Sequence, residues 1–396
     1  MLIALVVFLT TLFLIARSRH RKTLITASVL LFLSSFLATL AVEIELWASE
    51  SPDLTYGSDA RYYWQATLSL LLGELDLKGV SAPLYVAWQA LAVRTSPESS
   101  FIWVLFANLS LFLLSFILQV RTLEHFMSYQ VRITQTLLLL ALFWANGIVL
   151  WTVARGLKEV LIIFLASFLA YAWETSRLSH STWVRVCCRL LAIGAVVALW
   201  YVRPFGSLWG LAYILGSQLR WRSLGSWAFF AVSIVYGLII LGRFFPKVAV
   251  FRELFGEPLL EQNPLASDLV APLRFVLGPG PIRAFMQVLE GNVFLESTRI
   301  GDLLILIGSL QWWLFIAIVS LFALRKKGVL LKTLEAFKGW NILALVLVGT
   351  YSFIYFGTGD TRHRALLYLT LAPTMVSLIA GKEPRSDANP LPHHPR

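Results

Sequence analysis

Long apolar runs bounded by charged residues recur from one end of the chain to the other. Eleven of them begin near residues 2, 24, 100, 133, 157, 187, 205, 226, 302, 339 and 365. A helical run of roughly 20 apolar residues is long enough to cross the hydrocarbon core of a bilayer. The pattern therefore predicts an all-α polytopic membrane protein. Residues 1–382 are expected to form a single transmembrane domain, and 383–396 a disordered cytoplasmic tail.

The composition supports this interpretation. Hydrophobic residues make up 58% of the 396 positions, charged residues 14%, and the mean hydropathy is +0.74, which excludes a soluble globular chain. Basic residues of membrane proteins usually face anionic lipid headgroups, so the net charge of +11 does not indicate a nucleic-acid partner. The adjacent Cys187 and Cys188 do not form a disulfide framework, and the histidines lack metal-ligand spacing. No metal site or other cofactor is predicted; any metal would need carboxylate ligands.

The distribution of charge predicts the orientation. With the N-terminus outside and the C-terminus in the cytosol, 19 of the 33 Lys and Arg residues lie on the cytoplasmic side, against five of the 22 Asp and Glu residues. Cytoplasmic segments of membrane proteins carry such an excess of basic residues. The first run has no basic residues before it and several after it, which favours a retained anchor over a cleaved signal peptide. Two long outer loops, about 44–99 and 244–300, are apolar enough to predict helices lying on the outer interface.

The first outer loop carries acidic residues beside a predicted helix. Ser58 is placed to cap a helix that runs to Gly73, with Asp59 in its first turn and Tyr63 one turn later on the same face. In that position Asp59 either stabilises the helix by about 0.3 to 1 kcal/mol or serves as a general base in a partly dehydrated cleft. Asp53 lies a few residues earlier in the same loop.

Cations recur at the outer ends of the predicted spans, where the cytoplasmic bias disfavours them. They either snorkel to the interface, with Arg155 and Glu159 forming a helical pair, or converge into an anion site that suits a lipid phosphate. The candidates are Arg155, Lys158, Arg203, Arg362 and Arg364. In the second long loop, the apolar and basic stretch 273–283 ends at Arg283. It predicts either a loop packed on the outer leaflet or a lip against a lipid-linked ligand.

The order of these features resembles a known family. Asp59-Ala60-Arg61-Tyr62-Tyr63, then Ala82-Pro83-Leu84-Tyr85 and a helix with Asn108, resemble the first outer loop and following helix of the GT-C glycosyltransferases. Those are multispanning enzymes that use polyprenyl-phosphate sugar donors. Leu157-Lys158-Glu159, Arg203-Pro204 and Arg362-His363-Arg364 also resemble landmarks of that family, especially in proteins of bacterial surface-polysaccharide clusters.

The resemblance implies a catalytic role for Asp59 as the base, and donor-phosphate contacts from Arg155, Lys158, Arg203, Arg362 and Arg364. Arg61, Tyr63, Glu159, His363 and Arg283 are expected to line the substrate. The family's usual Asp-Glu pair is absent, since Ala60 follows Asp59. Asp53 is therefore a second catalytic candidate, as a replacement or a partner.

We expect a membrane glycosyltransferase that moves a sugar from a polyprenyl-phosphate or diphosphate carrier to an acceptor hydroxyl outside a bacterial plasma membrane. A polysaccharide polymerase or ligase that uses undecaprenyl-linked glycans shares this chemistry. A transporter of lipid-linked oligosaccharides would need polar residues deep within its spans, whereas the ionisable groups here lie at span ends. A purely structural assembly subunit would not require the outer cations.

Overall fold

The computed structural model describes residues 2–18, 20–48, 57–126, 133–203, 205–219, 223–244, 250, 253, 270–278, 299–355 and 361–380. All regular elements in these ranges are helical. They are α1 Leu2–Ala16, α2 Arg21–Ala48, α3 Gly57–Leu71, a 3-10 turn Leu77–Gly79, α4 Pro83–Arg94, α5 Phe101–Phe126, α6 Ile133–Trp144, α7 Gly147–Ala154, α8 Glu159–Leu178, α9 Thr182–Val202, α10 Gly206–Gln218, α11 Leu224–Phe244, α12 Ala271–Leu277, α13 Arg299–Arg325, α14 Lys327–Ala336, α15 Lys338–Tyr355 and α16 Thr361–Ile379.

A helix begins close to each of the eleven predicted starts, but not every helix is able to cross a membrane. Among the described residues, α2, α5, α8, α9 and α13 are long and apolar enough. Two bent pairs raise the count to seven: α6 with α7, bent by 55°, and α14 with α15, bent by 84°. The 15 residues of α1 and the 13 of α10 reach roughly 22 and 20 Å, short of a hydrocarbon core of about 30 Å. The all-helical membrane architecture is confirmed; eleven spans and their direction stay predictions.

The helices differ in how deeply they are buried. α5 and α8 lie at the centre, with α8 packed against α5 and α9, and α15 packed against α10, α11 and α16. α9 and α13 bury few of their side chains, and the exposed apolar ones include Trp183 and Trp200 of α9 and Leu314 of α13. Exposed apolar side chains of this size suit a lipid environment.

Short helices occupy the first predicted outer loop, as expected. α3 places Asp59 in its first turn and ends at Leu71, two residues before Gly73, and α4 packs against it. In the second long loop the structure describes α12 between residues 270 and 278. Most of that loop, including Arg283, lies outside the described residues, and so do Asp53 and the 383–396 tail.

Contacts with α13 fix the break between α6 and α7. The Asn146 side chain accepts a hydrogen bond from the Ile148 N–H and donates to the Gly308 carbonyl at 2.8 Å. Gly147 and Gly308 let the backbones of α7 and α13 meet, because an added Cβ would lie only 2.0 and 2.3 Å from backbone atoms of the other helix. α7 therefore starts at a fixed point and ends at Ala154, beside the charged cluster described next.

Candidate anion-binding and catalytic site

Charged side chains converge where three helices begin and one ends. Asp59 lies in the first turn of α3, Glu159 is the first residue of α8, and Arg203 is the C-cap of α9. Lys158 lies at the N-cap of α8, and the first turn of α16 adds Arg362, His363 and Arg364. The charged groups of the cluster are Asp59, Lys158, Glu159, Arg203, Arg362 and Arg364, and the His363 ring packs between them.

Asp59 and Arg362 form a direct ion pair at the accessible side of the cluster. Arg362 Nη2 lies 2.6 Å from Asp59 Oδ2, and the two side chains are 13% and 36% exposed. Burial acts to raise the pKa of the Asp59 carboxyl, but the charges of Arg362 and Lys158 outweigh it and hold that pKa below its ordinary value. Asp59 is therefore ionised at neutral pH, which is the state of a proton acceptor.

Glu159 is a fully buried carboxylate surrounded by cations. Its Oε1 lies 3.6 Å from Arg203 Nη1, 3.9 Å from Arg362 Nε and 4.0 Å from His363 Nε2. These distances exceed those of hydrogen bonds, and neither oxygen accepts one within the described part of the chain. An uncompensated buried charge costs several kcal/mol, so Glu159 and the surrounding cations stabilise one another as a group.

Aromatic rings fix the inner side of the cluster. Arg203 Nη1 donates to the Tyr351 hydroxyl, and Nη2 lies 2.9 Å from His363 Nε2. Because arginine only donates, His363 accepts at Nε2 and is a neutral imidazole. Its ring stacks on Tyr351, with centroids 4.5 Å apart, and lies 5.0 Å from Tyr355. Arg203 and His363 are therefore held rigidly behind Glu159.

Lys158 lies in the turn between α7 and α8 and is nearly buried. Its ammonium donates to the Tyr63 hydroxyl, which is 3.3 Å from Ser81 Oγ. Burial lowers the pKa of Lys158 to about 8, and the charge of Arg203 adds to the effect while Glu159 and Asp59 oppose it. Desolvation thus leaves Lys158 charged at neutral pH but able to titrate just above it.

Gly156 and Tyr85 shape this turn. Gly156 has a φ of +61°, a conformation that favours glycine, and an added Cβ would lie 2.8 Å from the Phe101 ring. The Tyr85 hydroxyl donates to the Gly156 carbonyl and accepts from Asn108 Nδ2 at 3.1 Å. α4 and α5 therefore position Lys158.

Cations outnumber carboxylates among the charged groups of the cluster that the structure describes. Lys158, Arg203 and Arg362 lie close to Asp59 and Glu159, and Arg364 follows in the first turn of α16. Arg364 is 4% exposed, and its guanidinium lies 5.8 Å from the centre of the Phe275 ring of α12. Helix N-termini also favour anions, and α3, α8 and α16 all begin here. The arrangement suits an anion such as a phosphate.

Apolar side chains of the helical bundle close the cluster on its inner side. An apolar cavity lies one helical turn deeper, and its lining includes Ile162, Leu199, Leu347 and Leu366, each three or four positions from a residue of the cluster. This cavity lacks charged lining groups, so it is not the anion site. The cluster is accessible at the opposite side, where Asp59 and Arg362 are partly exposed.

Most of the predicted site residues come together. Asp59, Tyr63, Lys158, Glu159, Arg203, Arg362, His363 and Arg364 belong to one cluster or border it. Arg155 instead lies over the Trp151 ring, 5.3 Å from its centroid, and Arg61 is exposed on α3. The expected pairing of Arg155 with Glu159 on one helix is wrong, because the chain leaves the helix between Ala154 and Glu159, whose ion partners are other residues.

Two residues of the cluster, Tyr351 and Tyr355, were not predicted. They are one helical turn apart at the outer end of the span predicted near 339. Their spacing of one helical turn places both rings on the same face of the helix, and this was the signal in the sequence from which they could have been predicted. Among the described residues, no three His, Cys, Asp or Glu side chains are grouped as metal ligands.

Comparison with known proteins gives no relative of this chain. No protein-family model matches it, and neither the curated proteins nor the solved structures contain a match. The charged cluster and its membrane setting are therefore the basis on which a function is assigned.

Proposed function

We propose that this protein is a membrane glycosyltransferase. It moves a sugar from a polyprenyl-phosphate-linked donor to an acceptor hydroxyl on the extracytoplasmic side, in the synthesis of a cell-surface polysaccharide or glycolipid. The observation that carries the proposal is the meeting of an ionised, partly exposed Asp59 with several cations at the end of a bundle of apolar helices. A base and a phosphate site side by side are what glycosyl transfer requires.

The chemistry follows from the charges. The acceptor oxygen attacks the anomeric carbon and passes its proton to Asp59, while the bond from that carbon to the phosphate oxygen breaks and its electron pair stays on the phosphate. A sugar-linked phosphodiester carries one negative charge, and the released monoester approaches two. The nearby cations therefore attract the leaving group more strongly than the bound donor, which is the differential binding that lowers a barrier. A single displacement inverts the anomeric configuration.

The proposal includes a direction in the membrane. With eleven spans, the N-terminus outside and the C-terminus in the cytosol, the cluster faces the exterior of a bacterial plasma membrane. The start of α1 lies at the same end of the bundle as the loop before α5, because the Leu2 N–H donates to the carbonyl of Thr95 in that loop. Exposed basic residues such as Arg17, Arg21 and Lys326 lie at the other helix ends, as expected for the cytoplasmic side.

The position of the ionisable groups favours an enzyme over a transporter. Asp59, Glu159 and Arg362 lie in first turns of helices, and Arg203 caps one. A transporter would place its charged groups near the middle of its spans. A polymerase or ligase that takes an undecaprenyl-diphosphate glycan would use the same base and the same cations, and the size of the product distinguishes it from a single-sugar transferase.

Substitution of Asp59 tests the proposal. Purified protein in liposomes is supplied with radiolabelled polyprenyl-phosphate sugars and a lipid acceptor, and label transferred to the acceptor is measured. We expect Asp59→Asn to lower the rate by about 10² to 10⁴, the usual contribution of a general base. The control is Asp76→Asn, since Asp76 is an exposed acid that caps the 3-10 turn and Asn retains that capping oxygen. A fully active Asp59→Asn protein overturns the base role, and movement of the donor across the membrane without transfer favours the transporter.

A further inference from the structure

Arg362 holds one of the two carboxylate oxygens of Asp59, the group proposed to act as the base. Its Nη2 lies 2.6 Å from Asp59 Oδ2, a distance typical of a short, charge-assisted hydrogen bond. An oxygen held this way has a lone pair directed at the guanidinium and a reduced affinity for a proton. Asp59 is therefore a weaker general base while Arg362 holds it than it would be alone.

The same guanidinium also faces Glu159. Arg362 Nε lies 3.9 Å from Glu159 Oε1, which is buried behind it. Loss of the contact with Asp59 therefore does not leave Arg362 without a nearby negative charge. Rotation about its long side chain is sufficient to turn Nη2 away from Asp59 while the electrostatic attraction to Glu159 persists.

A phosphate is well placed to cause that rotation. The Asp59 and Arg362 side chains are 36% and 13% exposed, whereas Arg203 and Glu159 are closed off at 7% and 0%. A phosphate arriving from the outer end meets Arg362 first. Arginine binds phosphate oxygens in a bidentate fashion, so the phosphodiester of the donor competes with the Asp59 carboxylate for Arg362, and the attraction grows as the leaving phosphate gains its second negative charge.

We infer that Arg362 exchanges partners during the reaction, leaving Asp59 for the phosphate of the lipid-linked donor. The exchange rests on the proposed function and adds a sequence of events to it. With Arg362 on the phosphate, Asp59 is released to accept the proton of the acceptor hydroxyl. When polyprenyl phosphate leaves, Arg362 returns to Asp59, whose proton passes to water. The donor therefore binds before the acceptor.

The test uses polyprenyl phosphate, the product common to every sugar, and needs no knowledge of the donor. Its affinity for the detergent-solubilised full-length protein is measured by thermal shift or calorimetry for wild type, Asp59→Asn, Arg362→Gln and the double variant. If the carboxylate and the phosphate compete for Arg362, Asp59→Asn binds polyprenyl phosphate about tenfold more tightly, an amount typical of a hydrogen bond between charged groups. Arg362→Gln binds it more weakly. Asp76→Asn is the control and keeps wild-type affinity.

The double variant separates exchange from simple repulsion. Removing the negative charge of Asp59 also removes its repulsion of the phosphate, and that gain would persist without Arg362. Under the exchange, Asp59→Asn gives little or no gain in the Arg362→Gln background, so the two substitutions are coupled. If Arg362→Gln does not fold, Arg362→Lys replaces it, and the gain from Asp59→Asn is reduced in that background.

The outcomes distinguish this inference from the proposed function. Unchanged or weaker binding by Asp59→Asn, or an equal gain in both backgrounds, overturns the exchange even if sugar transfer is observed. Tighter binding that depends on Arg362 supports the exchange, and an absence of transfer by wild type would then count against the glycosyltransferase alone. In steady-state kinetics, the exchange also predicts compulsory order, with polyprenyl phosphate competitive against the donor; random order contradicts it.

Discussion

At the scale of single residues, the titration of Lys158 predicts how activity depends on pH. Burial lowers the pKa of this amine to about 8 in the free protein. Below that pH the ammonium is present to attract the phosphate of the proposed donor; above it the charge is lost. We therefore expect kcat/KM for the donor to be level up to about pH 8 and to fall as the pH rises further. A bound phosphate favours the ammonium, so the fall in kcat begins at higher pH.

Lys158→Arg is the matched variant for this prediction. Arginine keeps its charge at every pH used, so the decline of kcat/KM above pH 8 is expected to disappear or move to higher pH, even if the rate itself is lower. A decline at the same pH in wild type and Lys158→Arg would mean that another group titrates. The measurement is the pH profile of sugar transfer at limiting donor concentration.

The charged residues of the cluster differ in how far the sequence alone predicted them. Asp59, Lys158, Arg203 and Arg362 were predictable, because several charged residues recur at the predicted outer ends of the spans, where the cytoplasmic bias disfavours cations. That Arg203 and Arg362 are the ion partners of Glu159 was not predictable. Spacing of four residues pointed to Arg155, but the turn between α7 and α8 interrupts the helix. Only the packing of α8 against α9 and α16 brings the actual partners close.

At the scale of elements, the crossing of α7 and α13 determines the position of the turn that carries Lys158. A Cβ on Gly308 would lie 2.3 Å from the Ile148 nitrogen and 2.8 Å from Asn146 Oδ1. We expect Gly308→Ala to push the helices apart and to lower the free energy of unfolding by about 1 to 3 kcal/mol, as overpacking usually does. Sugar transfer should fall as well, because α7 leads directly to the cluster.

Gly237→Ala is the control for that crossing. Gly237 lies within α11, and an added Cβ meets no atom within 4 Å. Alanine at this position should leave stability unchanged or raise it by up to about 1 kcal/mol, its advantage over glycine inside a helix. Thermal unfolding in one detergent compares the two variants. Equal stability of Gly308→Ala and wild type would show that α7 and α13 do not meet as closely as described.

The bend at this crossing also limited what the apolar pattern could reveal. A run near residue 133 predicted one span, but Asn146 caps a new helix within it and the pair is bent by 55°. A second bend of 84° separates α14 from α15 at Phe337. At the first bend, Asn146 donates to the carbonyl of Gly308 on the distant helix α13. Hydropathy along the chain does not contain that information.

At the scale of the whole molecule, the direction of the bundle is testable by labelling. Cys187 and Cys188 are first replaced by serine, and single cysteines are introduced as Glu98→Cys and Lys326→Cys, both at exposed positions. We expect a membrane-impermeant maleimide to label position 98 in intact cells, and position 326 only after permeabilisation. The reverse pattern would place the charged cluster in the cytosol and contradict an extracytoplasmic reaction.

We propose that one cluster both holds the donor phosphate and deprotonates the acceptor. A single-turnover experiment on Asp59→Asn measures these two roles separately. Enzyme in excess is mixed with labelled donor and acceptor, and bound donor and transferred sugar are measured in the same samples. We expect the variant to bind donor at least as tightly as wild type while transfer slows by about 10² or more. Transfer at the wild-type rate by protein without the Asp59 carboxylate would contradict this proposal.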